Sequence, residues 1–340
     1  MAKKLALFLF LVIILMISSC SKESNPTNQN PISPSHPWLV ILNNLGYDIT
    51  ILDLEDNNLY TAAVGTGEVP NDLIAVNYDL FVVNSVSNNI SRYTKSDSTL
   101  ILEEVQGVGV NTNPFSIASK GDRLYVSCLN TGEVVVLVPD PLYEEARIDV
   151  GTAPEGILYC QGFVYVACTG YNFQTYQYGD GYIYRINTSN NTVDDSIKVG
   201  INPQYLLKVG DKIHVCCTGD YGITCNGRIY IIDPSSFSVE DSILIEGTPL
   251  QLCYDGYDTI WAAAGGWATN GEVYCYTASG SIVRGVSNPI EVPLGAMDVA
   301  YHEGRLFVSC FQDDSLVELR GDSVIHSWAP GDGPQSIIVW

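Results

Sequence analysis

Positive charge is scarce in this chain. Sixteen Lys and Arg stand against 38 Asp and Glu over 340 residues, a net charge of −22. Nucleic-acid binding depends on Lys and Arg displacing counterions from phosphates, so this balance excludes a nucleic-acid partner. Histidine is rarer still. His36, His214, His302 and His326 are scattered, and no zinc-ligand spacing joins them. The ten cysteines include no Cys-x-x-Cys and no Cys-x-x-Cys-His, which removes a thioredoxin-type centre and covalent haem. Also missing are a Gly-x-Ser-x-Gly elbow, a phosphate-cradling glycine loop and a nucleophile paired with His. No cofactor is implied.

What is present is a repeat. A turn ending in Pro leads, ten residues on, to an apolar β-run closing in Asn or Cys, and a second β-run follows. Pro70 leads to Leu80-Phe81-Val82-Val83-Asn84, Pro114 to Leu124-Tyr125-Val126-Ser127-Cys128, and Pro154 to Val164-Tyr165-Val166-Ala167-Cys168. Pro203 leads in the same way to Ile213-His214-Val215-Cys216-Cys217. Pro249 comes one residue earlier before Ile260-Trp261, and Ala296 holds the Pro slot before Leu306-Phe307-Val308-Ser309-Cys310. A period near 40–50 residues with several short strands per unit predicts an all-β fold, a β-propeller.

The two ends complement each other. Pro334 to Trp340 supplies a first strand and stops, whereas Trp38 to Asn43 lacks the turn and strand that precede it elsewhere. The carboxyl-terminal strand is therefore expected to complete the blade opened at Trp38. This makes seven blades over residues 38–340 and removes a free sheet edge. An open solenoid would need no such split.

Before the repeats, Lys3-Lys4 precede an apolar run from Leu5 to Ile17 and then Ser18-Ser19-Cys20. The run is too short to span a bilayer, and its flanks read as a secretory signal over residues 1–19. Ile17-Ser18-Ser19-Cys20 resembles the bacterial lipobox. That resemblance implies lipidation of Cys20 and a membrane partner through its acyl chains, each buried methylene being worth about 0.8 kcal/mol. The chain is thus expected at the bacterial cell envelope, in the outer membrane as Ser21 suggests. An ordinary signal peptide is the alternative. Residues 20–37, polar and rich in Pro, read as a flexible tether.

The strand motifs Leu-Tyr-Val-Ser-Cys and Val-Tyr-Val-Ala-Cys, preceded by Gly-x-x-Pro, resemble the YVTN seven-bladed propeller family, which includes YncE-like and archaeal surface-layer proteins. The likeness covers the whole repeat region and implies an exported propeller whose Tyr or Phe packs between blades. The Asn that ends the family motif stands at Asn43 and Asn84 but is Cys128, Cys168, Cys217, Cys310 or Ala264 elsewhere. DNA binding described for some YncE-like proteins does not suit this charge.

The motif-ending cysteines sit too far apart between blades for a disulfide and read as buried, inert thiols. A local Cys217–Cys225 bridge is open, since both flank one loop. His214 occupies the aromatic slot of its strand and reads as a packed ring.

Loop lengths point to a site. The loop after the motif runs six residues to the next strand in four blades, for example Asn43 to Ile49. It runs fifteen from Cys168 to Ile183, twelve from Cys217 to Ile229 and nine from Ala264 to Val273. Insertions confined to one side of one face commonly mark the binding side. They carry Tyr171, Phe173, Tyr176, Tyr178 and Asp180, then Asp220 and Tyr221, then Trp267. Rings with carboxylates suit a glycan, peptide or protein ligand, or cationic groups; the alternative is a self-packed rim. Asp72, Glu155 and Asp298 follow the Pro slot and are weaker candidates for an oxygen-ligand metal at the channel mouth. The expected function is recognition or scaffolding without enzymatic activity. The alternatives are a lactonase- or lyase-like hydrolase and a structural cell-surface protein.

Overall fold

The computed structural model describes residues 36–96, 99–221 and 226–340, and in it the chain forms a seven-bladed β-propeller. Each blade is an antiparallel sheet whose first strand lines the central channel. These inner strands are Pro334–Val339, Pro70–Val76, Pro114–Ser119, Pro154–Cys160, Pro203–Val209, Leu252–Tyr254 and Ala296–His302, in blades 1 to 7. The signal over residues 1–19, the lipidated Cys20 and the tether up to residue 35 lie outside the described residues; His36 and Pro37, assigned to the tether, lie against blade 1, where Pro37 accepts the Leu54 N–H at 3.0 Å.

The ring closes where the sequence is split. Pro334–Val339 pairs antiparallel with Trp38–Asn43, with Ile41 opposite Ile337 and Leu39 opposite Val339. Trp38 and Trp340 exchange two backbone hydrogen bonds of 2.8 Å, and their rings meet edge to face at 5.9 Å. Lys95 lies over both rings, 3.8 Å from the centroid of Trp38 and 5.0 Å from that of Trp340. The strand Trp38–Asn43 is buried along its whole length. Each large aliphatic side chain removed from water contributes roughly 1.5–3 kcal/mol, so closure is strongly favoured.

The repeat motif has a physical cause. In six blades the residue in the Pro slot faces the motif-ending residue across the innermost hairpin: Pro70 with Asn84, Pro114 with Cys128, Pro154 with Cys168, Pro203 with Cys217, Ala296 with Cys310 and Pro334 with Asn43. A register shift follows the slot in each inner strand. The residue before the slot takes a left-handed backbone, including Val69 (φ 53°) and Ala153 (φ 52°), where side chains are seldom tolerated. Blade 6 departs. Its Pro249 is displaced by one residue, and the inner strand shortens to Leu252–Tyr254.

Gly-x-x-Pro is explained by close approach. A Cβ on Gly151 would lie 2.5 Å from the Tyr184 ring and 3.0 Å from Cys168 Sγ. On Gly67 it would lie 2.8 Å from Asn84. Asn84 Oδ1 accepts the Gly67 N–H at 3.0 Å. The Cys168 and Cys217 sulfurs occupy the equivalent place against Gly151 and Gly200, 3.0 and 3.2 Å from where a Cβ would stand. Cysteine therefore fills the place of asparagine beside the turn glycine in these two blades. Cys128, Cys168, Cys217 and Cys310 are buried free thiols whose pKa burial pushes up to about 12. Cys225 lies outside the described residues, and Cys217 forms no disulfide.

The aromatic slot packs toward the next blade. Tyr125 Oη bonds Asn191 Oδ1 at 3.2 Å in blade 4, and Tyr165 and Phe237 of blade 5 are 5.8 Å apart. His214 is buried, stacks on Tyr276 of blade 6 and bonds its hydroxyl at 2.9 Å; burial lowers its pKa to about 4. It is a neutral packing group, as its position in the motif implies.

Candidate functional site

One face of the ring gathers the turns between blades and the loops after each motif. In every blade but blade 6 the first N–H of this loop bonds the carbonyl before the slot, as in Ser85 to Val69, Thr169 to Ala153 and Thr218 to Asn202, at 2.9–3.0 Å; in blade 6 Gly265 bonds the Ala296 carbonyl of blade 7 at 2.9 Å. The three long loops therefore share one rim with the Pro ends of the inner strands. Trp38 and Trp340 lie at the opposite face.

The blade 4 insertion folds into a small hairpin, Tyr171 opposite Tyr178 and Asn172 opposite Gln177. Tyr171 packs against Tyr178 at 4.9 Å and Phe173 at 5.2 Å, and Tyr178 reaches Tyr221 of blade 5 at 6.2 Å. Tyr171 is buried, whereas Phe173 and Tyr176 remain 42% and 55% exposed. The insertion is thus self-packed at its base and leaves the Phe173 and Tyr176 rings partly exposed at its crest. Asp180 is exposed and pairs with Lys198 at 2.7 Å, and Asp220 is exposed. Trp267 of blade 6 stacks edge-on against Phe311 at 6.4 Å and leans over Gly295, so it serves the blade 6–blade 7 side of the rim.

Tyr221 joins a buried polar network, against which the Tyr178 ring packs. Tyr221 Oη donates to Gln204 Oε1 at 2.9 Å, which also accepts from Thr218 Oγ1 at 2.7 Å. Gln204 Nε2 then donates to Glu155 Oε2 at 2.8 Å. Burial raises the Glu155 pKa to about 8, opposed by that single hydrogen bond. Burial also pushes up the phenols of Tyr178 and Tyr221, reinforced by the nearby Glu155 charge. Glu155 is thus a carboxylic acid, protonated near neutrality, behind an aromatic lid.

The other two acids form a second group. Asp298 Oδ2 accepts from Ser336 Oγ at 3.1 Å and Ile337 N at 2.9 Å in blade 1. Asp72 Oδ2 accepts from Ser116 Oγ at 2.5 Å and Ile117 N at 3.0 Å in blade 3. Ser336 also contacts Asp72, so Asp298, Ser336, Asp72 and Ser116 form a chain across four successive blades. Burial raises Asp72 to about 6 and Asp298 to about 7, the latter also through the Asp72 charge. Each carboxyl clasps the next blade. Among the described residues, the three channel acids do not form one set within metal reach, and the set that does is His36, Asp53 and Asp56. Glu155 belongs to the tyrosine network, and the two aspartates are committed to backbone and serine donors.

Gln204, Asn202 and Thr218 were not singled out from the sequence. A signal existed, because Gln204 occupies the same place after its Pro as Glu155 does.

No protein family and no curated protein matches this sequence. Among solved structures, the chain is similar to a candidate 6-phosphogluconolactonase from Bacteroides fragilis, at 11% identity and a TM-score of 0.71, over 92% of this chain and 100% of that one. It is similar to hydrazine synthase of Kuenenia stuttgartiensis at 15% identity and a TM-score of 0.66, over 80% of this chain and 95% of that one. AztD from Citrobacter koseri aligns at 10% identity and a TM-score of 0.57, over 90% and 98%. Identities this low carry the propeller fold alone. They do not extend to the YVTN family, which remains a resemblance in strand motifs.

Proposed function

We propose that this protein is an exported propeller, anchored through Cys20, that recognises a positively charged ligand such as a Lys- or Arg-rich peptide on its long-loop face. One observation carries this reading. The loops and turns of that face hold Glu68, Asp180, Asp220, Glu246, Asp313, Asp314 and Asp332 but no Lys, Arg or His, while Lys198 and Arg228 stand beside them at strand ends and Lys198 pairs with Asp180. The opposite face mixes signs, with Lys120, Arg123, Lys212 and Arg305 in or beside turns that also hold Asp56, Asp122, Asp211 and Glu303. Acidic loops steer positive charge toward them, and the exposed rings of Phe173 and Tyr176 offer cation–π contact once a ligand arrives. The export and anchoring part rests on the Lys3-Lys4, apolar-run and Cys20 pattern.

A hydrolytic role has the names of two structural neighbours in its favour, both candidate 6-phosphogluconolactonases. The phosphate of such a substrate would meet carboxylates with no cationic side chain in the surrounding loops, so this reading is the weaker one.

The test is binding of labelled Lys/Arg-rich, acidic and neutral peptides and of neutral glycans. Cationic peptides should bind best, and replacing Phe173 and Tyr176 together with Ala should weaken them about tenfold. Raising salt from 0.05 to 0.5 M should weaken them further. Equal binding of acidic peptides, or a double variant that binds as the parent does, defeats the proposal.

A further inference from the structure

The point where the chain enters the ring gathers a group of side chains on the face opposite the long loops. We infer that His36, Asp53 and Asp56 form a binding site for a divalent transition-metal ion, with zinc the best fit, on the face opposite the long loops.

The site is built on a turn. Asp53 ends the strand Asp48–Asp53 and is almost fully buried, at 1% exposure. Its Oδ1 accepts the backbone N–H of Glu55 at 3.0 Å and of Asp56 at 3.1 Å, which curls the turn and brings both acidic side chains toward one imidazole. His36 Nδ1 lies 2.8 Å from Asp53 Oδ2 and 4.0 Å from Asp56 Oδ2. One ligand atom from each of the three residues lies within 4.8 Å of the other two. Two ligands about 2.1 Å from a tetrahedral zinc ion stand about 3.4 Å apart, so the observed separations bracket what the ion needs. The other ring nitrogen, His36 Nε2, is 3.2 Å from Glu55 Oε2. Without metal, Nδ1–H donates to the Asp53 carboxylate, 3.0 and 2.8 Å from its two oxygens, and Nε2–H faces Glu55. An ion would displace the Nδ1 proton while Glu55 keeps the one on Nε2, the arrangement that orients histidine ligands generally.

The surroundings suit an ion that keeps an open position. His36 and Asp56 are partly exposed, at 22% and 55%, leaving room for water or an outside ligand. The neighbouring cation Arg305 is engaged elsewhere: it bonds the Leu54 carbonyl and Asn57 and pairs with buried Glu318 at 2.9 Å. Lys95 lies over the Trp38 and Trp340 rings. The two ring N–H groups of His36 account for Asp53 and Glu55; they leave Asp56, 4.0 Å from Nδ1, as the third carboxylate at the same ring. One imidazole with two carboxylates favours zinc over calcium, which takes an all-oxygen shell.

The experiment uses the full chain in detergent micelles, stripped with a chelator and titrated calorimetrically with zinc chloride, then with cobalt chloride read by absorbance. The expected result is one zinc per chain. His36→Gln should weaken it at least 100-fold, Asp56→Asn more than tenfold, and Glu55→Gln by about tenfold, as loss of an outer partner does. All three changes fall on surface positions. Cobalt should give visible bands without thiolate charge transfer. No heat beyond dilution, affinity unchanged in His36→Gln, or a near-ultraviolet thiolate band assigning the metal to cysteine would each overturn the proposal.

Discussion

Glu155 shows how a single side chain can set the response of this protein to pH. Burial behind Tyr178 and Tyr221 raises its pKa to about 8, against about 4.3 in the unfolded chain. Between those values the unfolded state gives up its proton first. The folded state binds more protons, so this group makes stability fall as pH rises from about 4.3 to about 8. Asp298, at about 7, and Asp72, at about 6, act with the same sign over narrower windows. Glu155→Gln keeps an acceptor near Gln204 and should flatten the upper part of that decline, raising stability at pH 8 by about 1–3 kcal/mol. Urea unfolding at pH 5 and pH 8 measures it, and an unaltered difference between the two pH values would refute the assignment. The network around Glu155 was only half legible in the sequence. A register shift follows the slot, after Pro70, Pro154, Pro203 and Ala296, and it breaks the two-residue alternation that tells channel side chains from packed ones. Gln204 could therefore not be aimed at Glu155 from spacing alone.

At the scale of strands, the sequence was far more readable, because a backbone constraint repeats. The slot faces the motif end in a hairpin of constant length, so Pro70 and Asn84, or Pro154 and Cys168, keep their separation from blade to blade. Blade 6 was the exception in both sequence and structure, through the displaced Pro249 and the shortened Leu252–Tyr254 strand. The carboxyl-terminal closure was legible for the same reason. Deleting residues 334–340 removes the partner of Leu39, Val40 and Ile41 and exposes an apolar edge ready to pair with another molecule. The truncated chain should unfold at least 10 °C lower and aggregate, as read by calorimetry and light scattering. A monomer that melts as the full chain does would show that the seam contributes little.

Across the whole molecule the dominant quantity is charge. A net of −22, with one face lacking any cationic side chain in its loops, makes self-repulsion a standing cost of compactness. Ion pairs such as Arg123–Glu145 and Arg147–Glu144 are partly exposed and relieve little of it. Raising salt from 0.01 to 0.1 M shortens the screening length from about 30 to about 10 Å. The melting temperature should rise by about 2–4 °C over that range, roughly 1 kcal/mol for a chain of this size. A melting temperature that stays level or falls would mean that paired charges outweigh the repulsion.

The seam also decides how the molecule bears force. Trp38 and Trp340 lie side by side at the same end of one ladder, so tension applied between the two termini peels that ladder open one bond at a time. A load entering through Trp38 alone, with Trp340 left slack, spares the peeling geometry entirely. Attachment by a single end is thus the arrangement under which the closed circle resists pulling.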